Sequence, residues 1–470
     1  MDERKAIIVA DLGFGDAGKG TIVDYISRVR HVAAVVRFNG GAQAAHNVTT
    51  PEGTHHTFSQ FGSETFVPGV RTHLSRYMLV DPVAALAEAQ HLMELGLGNP
   101  FDRFSVEETA LVVTPFHKLA NRLRETLRDA GRHGSCGMGI GETMADSIAF
   151  PHLSVLVRDL RDPATLLKKL RALQELKYRE FKPYLDGLAQ HQFLRDELKL
   201  LTDPSGPDMW ALALADIARH FQIVSERYLA VLAGMGDLVF EGAQGVLIDE
   251  WHGFHPYTTW STTTFANALQ LLKGIGYDNT IEKLGVLRAY YTRHGAGPFP
   301  TEDTGLTIAL PDRNNGTGRW QGAFRVGWFD AVLAHYALAV SGGADTLAIT
   351  NLDRFANSTH RRICTGYDVP RDTIQHTNRR AVDCKVSGSP DFFHVTKLNP
   401  KPVLTDLTYQ SALTEILEAA TPVYRDAPAD DNQYLCAIER MLNVPVTITS
   451  YGRTALEKQT RSVQDHAVCA

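Results

Sequence analysis

Ala6-Ile7-Ile8-Val9-Ala10, then Gly13-Phe14-Gly15-Asp16-Ala17-Gly18-Lys19-Gly20, then Thr21-Ile22-Val23-Asp24-Tyr25-Ile26: this stretch decides the fold. The apolar run reads as a buried strand, and the segment after the glycines reads as the start of a helix. The spacing from Gly13 to Gly18-Lys19 is that of a P-loop, whose backbone N–H groups and lysine hold phosphate oxygens. Two residues break the pattern. Gly20 stands where a P-loop has the Ser or Thr that binds magnesium. Asp16 puts a carboxylate into an anion-binding loop, where it repels phosphate unless a cation or an acid–base task justifies it. The loop therefore reads as one that performs chemistry beside a phosphate. The plainer alternatives are an ordinary phosphate loop with an incidental acid, or a glycine-rich turn.

Further strand-like runs recur between helical stretches: residues 33–38, 238–240, 283–287 and 346–350. That alternation predicts an α/β fold with a large central, mostly parallel sheet flanked by helices and with ligand loops at the strand ends. Residues from about 151 to 235 read as a helical subdomain, with Leu166, Leu167, Leu170, Leu173 and Leu176 on one face as core. Residues from about 360 to 435 read as a smaller lobe within a single domain spanning 1–470. At 470 residues and 44% hydrophobic, the chain can bury a large core. A net charge of −6 argues against nucleic acid as a partner. No apolar run approaches the roughly 20 residues of a membrane span. The charged start enters a strand at once, so no signal peptide is expected. Five cysteines without CxxC spacing suggest neither a zinc site nor a disulfide framework, and suit a reducing cytoplasm.

Other loops concentrate chemistry. Asn39 to His46 is glycine-rich and ends in a histidine able to act as acid or base, although a structural histidine is the blander reading. Ser135-Cys136 opens a second glycine-dense loop. Gln244, after the third strand, can read donors and acceptors on a base edge. Thr258, Thr259, Ser261, Thr262, Thr263 and Thr264 surround Trp260 with hydroxyls suited to phosphate or ribose. Asp353, after a strand, can accept two hydrogen bonds from guanine.

Together the motifs resemble the adenylosuccinate synthetase family, in the same order over nearly the whole chain. They are Gly15-Asp16-Ala17-Gly18-Lys19-Gly20, Val36-Arg37-Phe38-Asn39-Gly40-Gly41 up to His46, Phe240-Glu241-Gly242-Ala243-Gln244-Gly245, the string from Thr292 to Glu302, and Gly327-Trp328-Phe329-Asp330. The resemblance implies a ligase that joins the amino group of aspartate to C6 of IMP. It would use GTP and Mg2+ through a 6-phosphoryl intermediate, in a homodimer. It implies Asp16 as N1 base, with Asp16 and Ala45 at the metal, and His46 stabilising the transferring phosphoryl. Lys19 would join Gly15, Gly18, Gly20 and Thr21 around the nucleotide phosphates. Asn351, Asp353, Ser450 and Gly452 would read the triphosphate's base. Gln43, Ser135, Cys136, Gln244 and Thr259 would contact the purine substrate, and Arg319 and Arg325 the aspartate. These roles suit the chemistry: removing the N1 proton makes O6 a better nucleophile, and phosphorylating O6 makes it a leaving group.

Departures from the family cluster at recognition groups. Family Glu is Ala17, a phosphate-contacting Asn is Gln43, and an arginine of the second glycine loop is Met138. An arginine that crosses the dimer is Phe150, and a lysine before the guanine-reading aspartate is Asn351. The final nucleotide loop is shortened to Ser450-Tyr451-Gly452-Arg453-Thr454. The expectation is a divergent synthetase, or a paralogous ligase with another amine donor, an altered ribose end or ATP as donor. A nucleotide-binding regulator is the non-enzymatic alternative. Retained Asp16 favours hypoxanthine over guanine.

Overall fold

The structure, a computed structural model, describes residues 4–128, 135–312, 315–316, 322–355, 360–386 and 388–461. Its centre is a ten-stranded sheet. The first strand, Lys5–Asp11, lies in the middle with buried side chains on both faces, as a strand covered on two sides by helices requires. On one flank run Asp237–Gly245, Val32–Arg37, Arg71–Leu74, Phe104–Glu107 and Gln222–Val224; on the other, Thr280–Arg288, Thr346–Thr350, Val446–Ser450 and Lys458–Thr460. All neighbours pair in parallel except the last edge strand, which is antiparallel. The expected mostly parallel α/β sheet is what forms. The strand order reverses direction about Lys5–Asp11, so the loops leaving the C-terminal ends of the central strands open one crevice.

The predicted runs at 33–38, 238–240, 283–287 and 346–350 are strands of this sheet. The strand Asp237–Gly245 continues through Gly242-Ala243-Gln244, which the sequence placed in a loop after it. Helix Pro163–Phe181 begins where Asp162 accepts hydrogen bonds from the Ala164 and Thr165 amides and proline occupies the first turn. It buries Leu166, Leu170 and Leu173 against Ala211 and Leu214. A second sheet is built from Phe329–Asp330, Arg361–Pro370, Phe392–Leu398 and Val382–Val386, with Thr421–Ala427 pairing Arg361–Pro370. Among the described residues no helix is long and apolar enough to cross a membrane. Cys136, Cys364 and Cys384 are free, but Cys436 is disulfide-bonded, which the scattered spacing did not signal.

Candidate active site

The strand Lys5–Asp11 ends in a carboxylate that shapes everything after it. Asp11 accepts from the Gly13 amide at 2.8 Å, the Ala17 amide at 2.9 Å and Lys19 Nζ at 3.0 Å, all buried. The loop is thereby folded over its own strand end. Thr350 Oγ1 ties it sideways by donating to the Ala17 carbonyl at 2.7 Å. Gly18, in the left-handed region at φ 88°, caps helix Lys19–Val29 without a side-chain hydrogen bond, so the first backbone N–H groups remain available to an anion. Gly20 has a packing reason: a Cβ there would lie 2.8 Å from His46 Cβ and 2.8 Å from Ser63 Oγ. The hydroxyl usual at this position would displace the histidine.

Behind His46 lies a buried polar cluster. His46 Nδ1 donates to Glu241 Oε1 at 2.6 Å. Glu241 also accepts from the Ser63 amide at 3.0 Å and from the Ser63 hydroxyl, and Arg37 Nε stands 4.0 Å away. Burial alone would raise the Glu241 pKa, yet His46, Arg37 and Ser63 together hold it at about 2. Glu241 is thus a carboxylate that fixes the tautomer of His46, leaving Nε2 to face the cavity. Glu64, wholly buried nearby, is pushed up to about 8, by burial first and then by the Glu241 charge.

These groups open on one cavity of about 920 Å³. Asp16, Gly15, Gly18, Lys19, Gly20 and Thr21 line it from the first loop; Gln43, Ala45 and His46 from the second; Ser135 and Cys136 from the third. Gln244, Thr259, Asn351, Asp353 and Gly452 complete the set. Asp16 (φ 59°), Gln244 (φ 64°) and Asn351 (φ 59°) are three of the four non-glycine residues with positive φ among those described. Such conformations are disfavoured and collect where a site dictates them. Gln244 Nε2 donates to Thr259 Oγ1 at 2.8 Å, while Gln244 Oε1 and both amide atoms of Gln43 are buried without a partner. Buried orphans of this kind call for a polar ligand. The Asp16 carboxylate makes no hydrogen bond to another described residue; its backbone carbonyl accepts from Arg288 Nε at 2.6 Å. The Asp16 carboxylate and the Ala45 backbone line the same cavity, and such a sparse oxygen set suits magnesium, which takes few protein oxygens and completes its shell with phosphate and water.

Some expected residues stand elsewhere. Arg325 donates to Glu302 at 2.7 Å and to the Gly295 and Gly297 carbonyls at 2.6 and 3.0 Å, and so braces that turn. Arg319 lies outside the described residues. Ser450 is buried and donates to the Gly452 carbonyl at 3.2 Å. Of the hydroxyl cluster, Ser261 binds the Gly40 amide at 3.1 Å and Thr263 binds Asp249 at 3.1 Å, leaving Thr258 and Thr259 on the cavity. Met138 packs with Leu79, Val113 and Ile140 in a small apolar cluster. Sequence reasoning missed Asp11, Ser63, Glu241 and Arg288 as site residues. A buried acid at the end of the first strand and the Glu of the Glu241-Gly242-Ala243-Gln244 string were the only signals available.

A profile described as adenylosuccinate synthetase matches residues 8–458. The chain is 31% identical over 462 residues to the adenylosuccinate synthetase of Synechocystis sp., covering 98% of this chain and 95% of that one. It is 34% identical over 371 residues to that of Mycolicibacterium vanbaalenii, covering 77% and 80%. Among solved structures, fully ligated adenylosuccinate synthetase from Plasmodium falciparum matches with a TM-score of 0.73 at 19% identity, over 97% of this chain and 99% of that one. Succinoaminodeoxyadenylate synthetase of cyanophage S-2L, bound to dGMP and to dATP as energy donor, matches with a TM-score of 0.57 at 16% identity, over the whole of both chains. These two structures bear on the fold alone.

Proposed function

The chain belongs to the adenylosuccinate synthetase family of C–N ligases, and from that premise we propose that it joins the amine of aspartate to C6 of IMP, driven by GTP with magnesium. The observation that carries this reading is the position of Asp16. It sits at the tip of the loop after the central strand, with His46 and Gln244 on one flank of the sheet and Asn351 and Asp353 on the other. A base placed between two half-sites is what phosphoryl transfer between two nucleotides requires.

Asp16 takes the N1 proton, and O6 attacks the terminal phosphorus as the nucleoside diphosphate leaves. The aspartate amine then adds at C6, and phosphate departs with the O6 oxygen. His46, held by Glu241 through Nδ1–H, presents Nε2 to the oxygens on which charge develops, and donates to them as the imidazolium that the Glu241 carboxylate supports against burial. Lys19 and the open amides of helix Lys19–Val29 hold the phosphates. Magnesium at Asp16 and Ala45 would neutralise triphosphate charge. Binding alone needs no base, so this trio opposes a regulator.

ATP is kept as the second donor: Asn351 lacks the long stem that stacks on a base, and the phage relative was solved with dATP as energy donor. A cytoplasmic homodimer goes with the reading, and exposed Ile148 and Phe150 offer an apolar face for it. The test is incubation with IMP, aspartate, GTP and Mg2+. Formation of GDP, phosphate and the succinyl adduct is expected. Loss of none of the three substrates, with ATP also tried, would overturn the proposal.

A further inference from the structure

Trp260 is 45% exposed, a large indole left open on the cavity wall. It follows Thr259, already engaged by Gln244. A Cβ on Gly141 would lie 3.6 Å from the indole, so the first turn of helix Ile140–Ala149 packs beside it. Among the described residues, the same wall carries four charges, matched in two pairs. Arg124 donates to Glu142 through Nε at 2.6 Å and Nη2 at 3.1 Å, and Arg128 donates to Glu125 at 2.5 Å. All four line the cavity. A guanidinium already gripped by a carboxylate offers a phosphate dianion little net attraction. A free indole face offers the apolar surface on which a sugar or base packs.

The purine's N1–O6 edge must face Asp16 and His46 for the chemistry. Its sugar leaves from the opposite side of the ring system. The wall of Trp260, Glu142 and Arg124 belongs to the same cavity and is used neither by the phosphate loop nor by the residues around Asp353. Resting on the purine-ligase reading above, we propose that Trp260 forms a sugar-end subsite that holds a 6-oxopurine nucleoside by packing and neutral hydrogen bonds. The protein then accepts inosine nearly as well as IMP. The unpartnered amide of Gln43 supplies neutral donors and acceptors to the same ligand.

Calorimetric titration of the full chain with inosine and with IMP tests this. The two dissociation constants should differ by less than about tenfold, the scale of a weak added contact. Trp260→Ala should weaken both ligands by about tenfold or more, and Trp260→Phe should restore them to within about threefold, because an aromatic face is what counts. The KM of the triphosphate should stay constant. The wild-type comparison needs no variant to fold. A preference for IMP above about a hundredfold that falls with salt would overturn the inference, as would unchanged inosine binding in Trp260→Ala. If IMP alone binds and is ligated to aspartate, this inference fails and the ligase reading stands. If neither ligand binds, both fail.

Discussion

At the C-terminal ends of strands Lys5–Asp11 and Asp237–Gly245, charged groups are buried and face opposite charges: Lys19 with Asp11, His46 with Glu241, and Arg37 at 4.0 Å from Glu241. On the wall around Trp260, Arg124, Arg128 and the indole stand partly in solvent, and the two arginines pair with the buried carboxylates of Glu142 and Glu125. The first region is made of strand ends locked by register. The second is made of helix and loop. A buried charged network resists piecemeal change, because removing one partner strands the other. A half-exposed wall tolerates exchange of Arg for Met or Phe. On this physical ground Asp16, Lys19 and His46 are harder to exchange than the side chains of the wall.

The largest effect should come from the centre. Asp16→Asn keeps the shape but cannot accept a proton, so turnover should fall by about 10²–10⁴-fold, with thermal unfolding unchanged. Turnover within a few-fold of wild type would remove Asp16 from the mechanism. Next is Glu241→Gln, which removes the charge that orients His46. We expect kcat to drop by about a hundredfold, KM to move little, and the His46 pKa, already lowered by burial, to fall further when followed by NMR. An unchanged His46 titration would show that Glu241 only fills space.

Glu64 sharpens the contrast through stability. Its folded pKa is raised from 4.5 to about 8, so the unfolded chain releases this proton first. This group therefore favours the folded state less and less as pH climbs through that window, and adds no further slope above it. Glu64→Gln should remove a slope of up to about 1.4 kcal/mol per pH unit there. Urea unfolding of both proteins across the window checks it; parallel curves would sink the idea. The smallest effect belongs to the triphosphate. Asp353 should still favour GTP, but with Asn351 and a short final loop the kcat/KM advantage over ATP should stay below about tenfold. A preference for ATP would show that Asp353 does not read guanine.

The central strands were legible because each is a continuous apolar run. Arg71–Leu74 and Phe104–Glu107 were not, being four residues long with polar side chains that the helices bury. The phosphate loop, His46 and Gln244 were legible because glycine spacing announces close backbone approach. Glu241 was quoted but passed over: its partner Ser63 is 178 residues away in sequence, and nothing local marks a carboxylate as ionised in a core. Met138 looked like a lost ligand and is a packing residue. That distinction depends on which way a helix-entry turn faces, which sequence order does not encode.

The left-handed backbone at Asp16, Gln244 and Asn351 has a consequence for how this protein could be improved or spoiled. Each such residue stores about 1–2 kcal/mol of conformational strain that glycine would release. Replacement by glycine at any of the three should therefore raise the melting temperature while erasing a functional side chain. Selection for heat resistance alone would drift toward a sturdier and idle protein.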